Sequence, residues 1–575
     1  MDGIARRAAA EAATYRSPYD PEGWLHLANI YFEFCFNDLQ VASAHKAIYL
    51  TNQGLDLKDK HIGQKVREAV GMRLSCPFNI VIVDELEHAL TKGYKALLRG
   101  LLEMSAYWDG LKEAKRAFEI FPANQDILLL QRMMKNEFHM RTTAIQESNQ
   151  LAEDIKHLSR IGRTFKRKYP WLEERLFIRS PAFLGEINTS FNSTNCEVRP
   201  LFVPQIDPNT SKPRRSYRLV TKTSKQHLAA HPFDTGTNVG PLGVFAKRTI
   251  HKDEILLTDH NLTVVPVTPS KKLQHCDACH ALLIPPFLRD GEVRRPPCCH
   301  NVAYCSIKCA SAALNGYHKV LCGKDFKWLY KSAANKELDP SWQPGALLRI
   351  LAIVVADLRA TPSAKMHPLQ HPLLARLTAG YESDPSQAKE QVWNYFSHVI
   401  APTRILAQLG VDVFADPLWS AEVIHCIYWR IINNACRTSS CTVVDGKLEK
   451  VTLSGIGPGY IFFNHSCEAS VEWMGAGSCE GAARIGAAAA AAAGSATALG
   501  KRRKASEERE VLDGEGEREG VKVGCNALLC LATRAIKKGE EVRISYLPPG
   551  KRQQLGRWFE GGKCICGACD GEGTS

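Results

Sequence analysis

At 575 residues the chain is roughly four times the ~150-residue prior for one domain, so several domains are expected. Its 45% hydrophobic and 23% charged content excludes a disordered or collagen-like protein, and its net charge of +13 tolerates a nucleic-acid or acidic-protein partner without demanding one. The most apolar run, Leu347 to Leu358, is short and carries Arg349 and Asp357, which argues against a membrane span; the start lacks the apolar core of a secretory signal. A soluble protein of the nucleus or cytoplasm is expected. Its 20 cysteines should stay reduced there, and clusters of them with histidine are read first as zinc ligands.

Residues 1–130 read as helical, with two stretches that share a pattern. Trp24, Leu27, Ala28 and Tyr31 are followed by Ala44 and Ala47; Tyr94, Leu97, Leu98 and Leu101 are followed by Gly110, Ala114, Ala117 and Pro122. This large-then-small spacing resembles the 34-residue tetratricopeptide repeat, in which small residues let paired helices approach closely. Such repeats hold protein partners rather than perform chemistry. The two stretches start about two repeat lengths apart, which leaves room for a degenerate repeat between them. A basic helical stretch near 151–176 leads into a polar Asn/Ser/Thr/Pro-rich segment, about 188 to 214, read as a linker.

From 216 the pattern changes to short β-like runs, YRLVTK, GVFAKRTI, EILLTD and LTVVPV. Residues 326–432 return to helical periodicity, and strands resume near 441. Between Ala476 and Gly520 lie an alanine run, the basic cluster Lys501 to Lys504 and an acidic Gly-rich tract. This reads as a flexible loop inserted between two strands, since little in it can be buried. The basic cluster reads equally as a nuclear import signal or a solvated charge run.

The densest cysteine cluster comprises Cys276, Cys279, Cys298, Cys299, His300, Cys305, Cys309, His318 and Cys322. Zinc takes four tetrahedral N/S ligands, and ligand pairs a few residues apart each supply two, so this cluster suffices for two structural ions. A second group, Cys564, Cys566 and Cys569, leaves a third zinc one ligand short.

The spacing around Tyr304-Cys305-Ser306-Ile307-Lys308-Cys309 and His318-Lys319-Val320-Leu321-Cys322 resembles a MYND finger. The resemblance implies crosswise binding: Cys276, Cys279, Cys305 and Cys309 on one ion, His318, Cys322 and two of Cys298, Cys299 and His300 on the other. Three segments frame the finger: Gly240 to Ile250 before it, Phe463-Asn464-His465-Ser466-Cys467 beyond the helical region, and Gly539-Glu540-Glu541 to Tyr546 near the end. In that order, over residues 216 to 570, they resemble the SET and MYND domain family of protein lysine methyltransferases, some members of which carry N-terminal tetratricopeptide-like repeats.

The resemblance implies an α+β multidomain chain. Its parts would be helical repeats over 1–130, a connector and linker over 131–215, and a SET domain split into 216–270 and 433–550. The MYND finger would occupy 271–325, a helical insert 326–432, and a post-SET zinc tail 551–575. The implied activity is S-adenosylmethionine-dependent methylation of a histone or non-histone lysine, with about three structural zinc ions. By the same resemblance, the Gly243 to Ala246 turn, with Val244 and Phe245, would let the backbone approach S-adenosylmethionine. Asn464 and His465 would line that pocket, with Asn433 or Asn434 beside them; Tyr546 would be the active-site tyrosine. Phe559 would wall the lysine channel, and Cys467 would complete the tail zinc with Cys564, Cys566 and Cys569. Glu540 and Glu541 read as turn residues. The chain departs from the family after Cys467, where Glu468-Ala469-Ser470 stands in place of x-Pro-Asn. The competing reading is a non-catalytic adaptor that recruits proteins through the repeats and finger. No membrane and no sequence-specific nucleic acid is expected as a partner.

Overall fold

Helices dominate the first 147 residues: α1 Asp2–Arg16, α2 Pro21–Glu33, α3 Asn37–Leu55, α4 Ile62–Leu74, α5 Asn79–Glu103, α6 Tyr107–Ile120 and α7 Gln125–Glu147. The computed structural model describes residues 2–76, 78–147, 152–192, 194–206, 213–219, 238–260, 263–268, 274–283, 293–333, 342–362, 366–379, 391–444, 446–476, 483–484 and 527–546. The chain is mixed α+β and divides into two units, Met1–Phe177 with Lys324–Asn433 and Ile178–Gly323 with Asn434–Ser575. Among the described residues, no helix is long and apolar enough to cross a membrane.

In the first unit the large and small positions of both repeated stretches are buried: Trp24, Leu27, Ala28 and Tyr31 on α2, Ala44 and Ala47 on α3, Tyr94, Leu97, Leu98 and Leu101 on α5, Ala114 and Ala117 on α6. Glycine keeps the helices close. A Cβ at Gly93 would stand 2.8 Å from Ile48, and one at Gly100 2.7 Å from Val41. The pairs α2/α3 and α5/α6 also turn alike. Cys35 and Ser105 take the left-handed conformation (φ 56° and 52°) just past α2 and α5. The Phe36 N–H then bonds the Tyr31 carbonyl and the Ala106 N–H the Leu101 carbonyl, both at 2.9 Å, closing the same helix-ending motif about 70 residues apart. Between the two pairs the described residues hold α4 alone, so no complete helix pair separates them.

The helices Pro344–Ala360, Ala401–Leu409 and Ala421–Asn434 supply most of the rest of this unit, with strand β1 Gly162–Thr164 antiparallel to β8 Gln391–Trp393. The apolar run near 350 is thus a buried helix of a helical core. A buried polar centre ties the early and late segments together. One oxygen of Glu422 accepts bonds from Arg7 Nη1 (3.1 Å), Tyr31 Oη (2.7 Å) and Trp171 Nε1 (3.0 Å).

The second unit corrects the linker reading of 188–214. That stretch carries the end of a helix, Pro181–Ser190, then β2 Cys196–Pro200, β3 Phe202–Ile206 and the start of β4 Pro213–Leu219. Its polar residues act as backbone surrogates: the Asn188 amide donates to the Val198 carbonyl (2.9 Å) and accepts from the Val198 N–H (2.8 Å). Further along run β5 Leu242–Ala246, β6 Ile255–His260, β7 Thr263–Pro266, β9 Cys436–Val444, β10 Lys447–Ile456, β11 Asn464–His465, β12 Val471–Gly475, β13 Ala527–Ala532 and β14 Glu541–Ile544. The main sheet has the order β2-β5-β14-β12-β13-β6, with β11 parallel to β14; β7-β10-β9 form an antiparallel three-stranded sheet. β12 and β13 pair antiparallel, so the long insertion does fall between two hairpin-related strands; nearly all of 476–520 lies outside the described residues. The core beneath the main sheet gathers Val244, Ala246, Phe463, Cys530, Val542 and Ile544.

Candidate functional site

Among the described residues, two side-chain clusters can hold metal ions. Cys276, Cys279, Cys305 and Cys309 form one, and Cys298, Cys299, His318 and Cys322 the other, with all ligand atoms of each within 4.8 Å of one another. A zinc with Zn–S near 2.3 Å needs tetrahedral edges of about 3.8 Å. Here Cys279 Sγ stands 3.5 Å from Cys305 Sγ, Cys305 Sγ 3.7 Å from Cys309 Sγ, and His318 Nε2 3.3 and 3.6 Å from the sulfurs of Cys298 and Cys299. The donors therefore fit zinc. The sequence explains the local geometry. Ser306 caps the helix Ile307–Asn315 by accepting the Cys309 N–H (3.1 Å), which sets Cys305 and Cys309 one turn apart. A tight turn through His280 (φ 59°) closes the Cys276–Cys279 pair with a 2.8 Å bond from the His280 N–H to the Cys276 carbonyl. Hydrogen bonds from Cys279 and Cys305 lower the Cys276 thiol from its ordinary value.

His300 is corrected out of the ligand set: it is exposed and belongs to neither cluster. Cys298 and Cys299 already complete a four-donor set with His318 and Cys322, and tetrahedral zinc has no fifth position for it.

A second group of residues converges on the main sheet. β14 lies between β5 and β11, with Glu541 opposite Phe245, Asn464 beside Arg543 and His465 beside Ile544. Asn464 is buried, and its Nδ2 donates to the Leu242 carbonyl (3.1 Å) and to Glu541 Oε1 (2.9 Å). His465 is locked at both nitrogens. Its Nδ1 accepts the Tyr546 N–H at 3.1 Å, and since a backbone N–H can only donate, Nδ1 is unprotonated and the ring proton sits on Nε2, 3.3 Å from Cys467 Sγ. Burial lowers this imidazole to about 4, so it is neutral near pH 7. The ring therefore donates to the Cys467 sulfur and is no base toward it. The Tyr546 hydroxyl bonds the Phe463 carbonyl at 3.0 Å, and its ring lies 5.2 Å from that of His465. Burial raises this phenol well above its usual value, which leaves it a neutral O–H.

The structure thus brings together Gly243, Val244, Phe245, Asn464, His465, Cys467 and Tyr546. It corrects the expected turn at Gly243 to Ala246, which is β5, a strand buried along its whole length between β2 and β14. Asn433 belongs to the first unit and donates to the Thr378 carbonyl (2.9 Å), whereas buried Asn434 opens the second unit. Phe559, Cys564, Cys566 and Cys569 lie outside the described residues.

Two carboxylates escape sequence reasoning. Glu541 is a buried acceptor gripped by Arg543 (Nε 3.0 Å, Nη2 2.9 Å), not a turn residue. The available signal was the Glu-x-Arg spacing at the head of a strand, which puts both on one face. Buried Asp259 accepts the Gly459 (2.9 Å) and Tyr460 (2.6 Å) N–H groups, fixing the short 3-10 turn Tyr460–Phe462 that leads into Phe463-Asn464-His465. No local pattern marks it.

No protein-family model matches the chain, and no curated protein is significantly similar to it.

Proposed function

We propose that this chain is an S-adenosylmethionine-dependent protein-lysine methyltransferase of the split SET type, with a MYND finger and helical repeats that engage protein partners. The observation that carries the reading is the convergence of three motifs far apart in sequence: Gly243–Phe245 on β5 and Asn464–His465 on β11, both beside β14, and Tyr546 two residues past the end of β14. The ordered finger clusters between the first two motifs support it further. Cys467 would serve a third zinc together with Cys564, Cys566 and Cys569.

The chemistry suits so sparse a site. S-adenosylmethionine would supply an already activated methyl group, which leaves the protein to align the substrate amine in line with it. That amine has to be neutral, and deprotonating a free lysine of pKa ≈ 10.4 at pH 7 costs about 4.6 kcal/mol. A desolvated aromatic environment disfavours the ammonium and lowers this cost. Tyr546, held as a neutral phenol against Phe463, orients the amine through its hydroxyl and removes no proton itself. His465, neutral and bonded on both sides, holds the strand end that carries Tyr546.

The test is transfer of labelled methyl groups to histones and cell-extract proteins, with cofactor titration on the same sample. Wild type should label a protein lysine, and Tyr546→Phe should keep the fold and lose most turnover. Undiminished activity of the variant would refute the assignment. Failure of the wild type to bind S-adenosylmethionine would leave the adaptor reading in its place.

A further inference from the structure

The Asn464 amide has two hydrogens, and both go to groups that can only accept: the Leu242 carbonyl and the Glu541 carboxylate. This chemistry fixes which end of the amide is nitrogen. Oδ1 takes no hydrogen bond from any described residue, so the polar valence Asn464 retains is an acceptor. Glu541 itself has little freedom. Arg543 holds its other oxygen with two bonds, and both residues lie on β14. Gly243 completes the arrangement, because a Cβ there would stand 2.9 Å from Asn464 Nδ2 and 3.0 Å from Glu541 Oε1. The missing side chain is what admits the pair between β5 and β11.

We propose that Glu541 is a positioning residue that fixes the Asn464 amide with its carbonyl oxygen toward the ligand, so that this point of the site selects a hydrogen-bond donor. This rests on the reading of the site as one for S-adenosylmethionine, a ligand with ammonium, amino and hydroxyl donors. Without the carboxylate, the amide can turn over and offer its NH2 group instead, which repels those donors.

The experiment compares the full-length wild type with Glu541→Gln, Asn464→Asp and the double variant. Asn464→Asp sets two carboxylates against each other. The double variant restores the match to position 541 with the wild-type net charge and leaves only the Leu242 carbonyl without its donor, because the amide introduced at position 541 donates to the carboxylate introduced at position 464 while its oxygen still accepts from Arg543. Calorimetric titration with S-adenosylmethionine should give affinities weakened ~10-fold for Glu541→Gln and more for Asn464→Asp, with the double variant binding more tightly than Asn464→Asp. A residue that merely fills space would give losses that add. Additive losses, or wild-type affinity in Glu541→Gln, would overturn the proposal. If the wild type binds no S-adenosylmethionine, the proposed function fails, and guanidinium denaturation of the same four proteins still decides the positioning role. Asn464→Asp should then be the least stable and the double variant recover; no recovery overturns it.

Discussion

Replacing Gly243 by alanine isolates the geometry on which the sheet site depends. Gly243 does not occupy the left-handed region, so the substitution carries no backbone penalty and its whole effect is steric. The new methyl would stand 2.8 Å from Leu201 Cδ2, 2.9 Å from Asn464 Nδ2 and 3.0 Å from Glu541 Oε1, against an ordinary separation of about 3.5–4.0 Å. The Leu201 methyl can swing away, but Asn464 is pinned by Leu242 and Glu541 by Arg543. Restoring contact distance demands displacements of about 0.5 Å or more, enough to stretch the 2.9 Å Asn464–Glu541 bond past useful length. Losing a bond to a charged group costs about 1.5–3 kcal/mol, and overpacking about 1–3 kcal/mol. The two overlap, because yielding in one relieves the other, so we expect about 2–3 kcal/mol. Chemical denaturation followed by a probe in the second unit measures it. Gly185→Ala is the matched control: nothing lies within 4 Å of a Cβ in that helix, so it should be neutral or slightly stabilising. If Gly243→Ala unfolds with the control, the close approach inferred among Gly243, Asn464 and Glu541 is wrong.

Four further outcomes follow from the same structure. Arg7→Met strands the buried Glu422 carboxylate and should destabilise the first unit by about 3 kcal/mol, the low end for a broken buried pair because Tyr31 and Trp171 still donate to it; guanidinium midpoints check this. His300→Ala should leave zinc content by elemental analysis equal to wild type, whereas His318→Ala should lose one ion per chain. Burial holds His398 well below the usual ~6.5, so above that pH it is neutral folded or unfolded. Below it the unfolded chain takes up a proton that the folded one refuses, and stability falls by up to about 1.4 kcal/mol per pH unit. His398→Gln should lower the slope of stability against pH between about 6.5 and 5 by one proton. Tyr546→Phe loses its bond to the Phe463 carbonyl and should cost about 1 kcal/mol of stability, while under the proposed function it should lose most turnover, so midpoint and rate should separate.

What the sequence made legible is what local chemistry dictates. Cysteine pairs a few residues apart have few uses in a reduced chain, and the clusters assemble with Ser306 as helix cap and Cys305 and Cys309 one turn apart. Large-to-small spacing in 1–130 likewise maps onto buried helix faces, because close helix approach admits only small side chains. The polar stretch 188–214 misleads for a physical reason. Composition reports solvation, yet Asn188 uses both ends of its amide to extend the backbone pairing of β2, and so resembles a loop residue while serving a strand.

The remaining residues are hidden because their roles exist only across long separations. Arg7 meets Glu422 415 residues further on, and nothing near either announces a buried partner. Asp259 fixes a turn 200 residues away, and Asn464 meets Glu541 across 77 residues. In each case an isolated carboxylate would be too costly to bury, so its burial implies donors that the fold must deliver. Glu541 also has a local clue in its Glu-x-Arg spacing, which reads as turn chemistry because two adjacent carboxylates follow a glycine. Their exposures divide them: Glu540 faces solvent at the turn and pairs with Arg534, while Glu541, one residue on, points to the opposite face and is 5% exposed. The boundary between turn and β14 falls between these two residues, and it separates a turn residue from the group that orients Asn464.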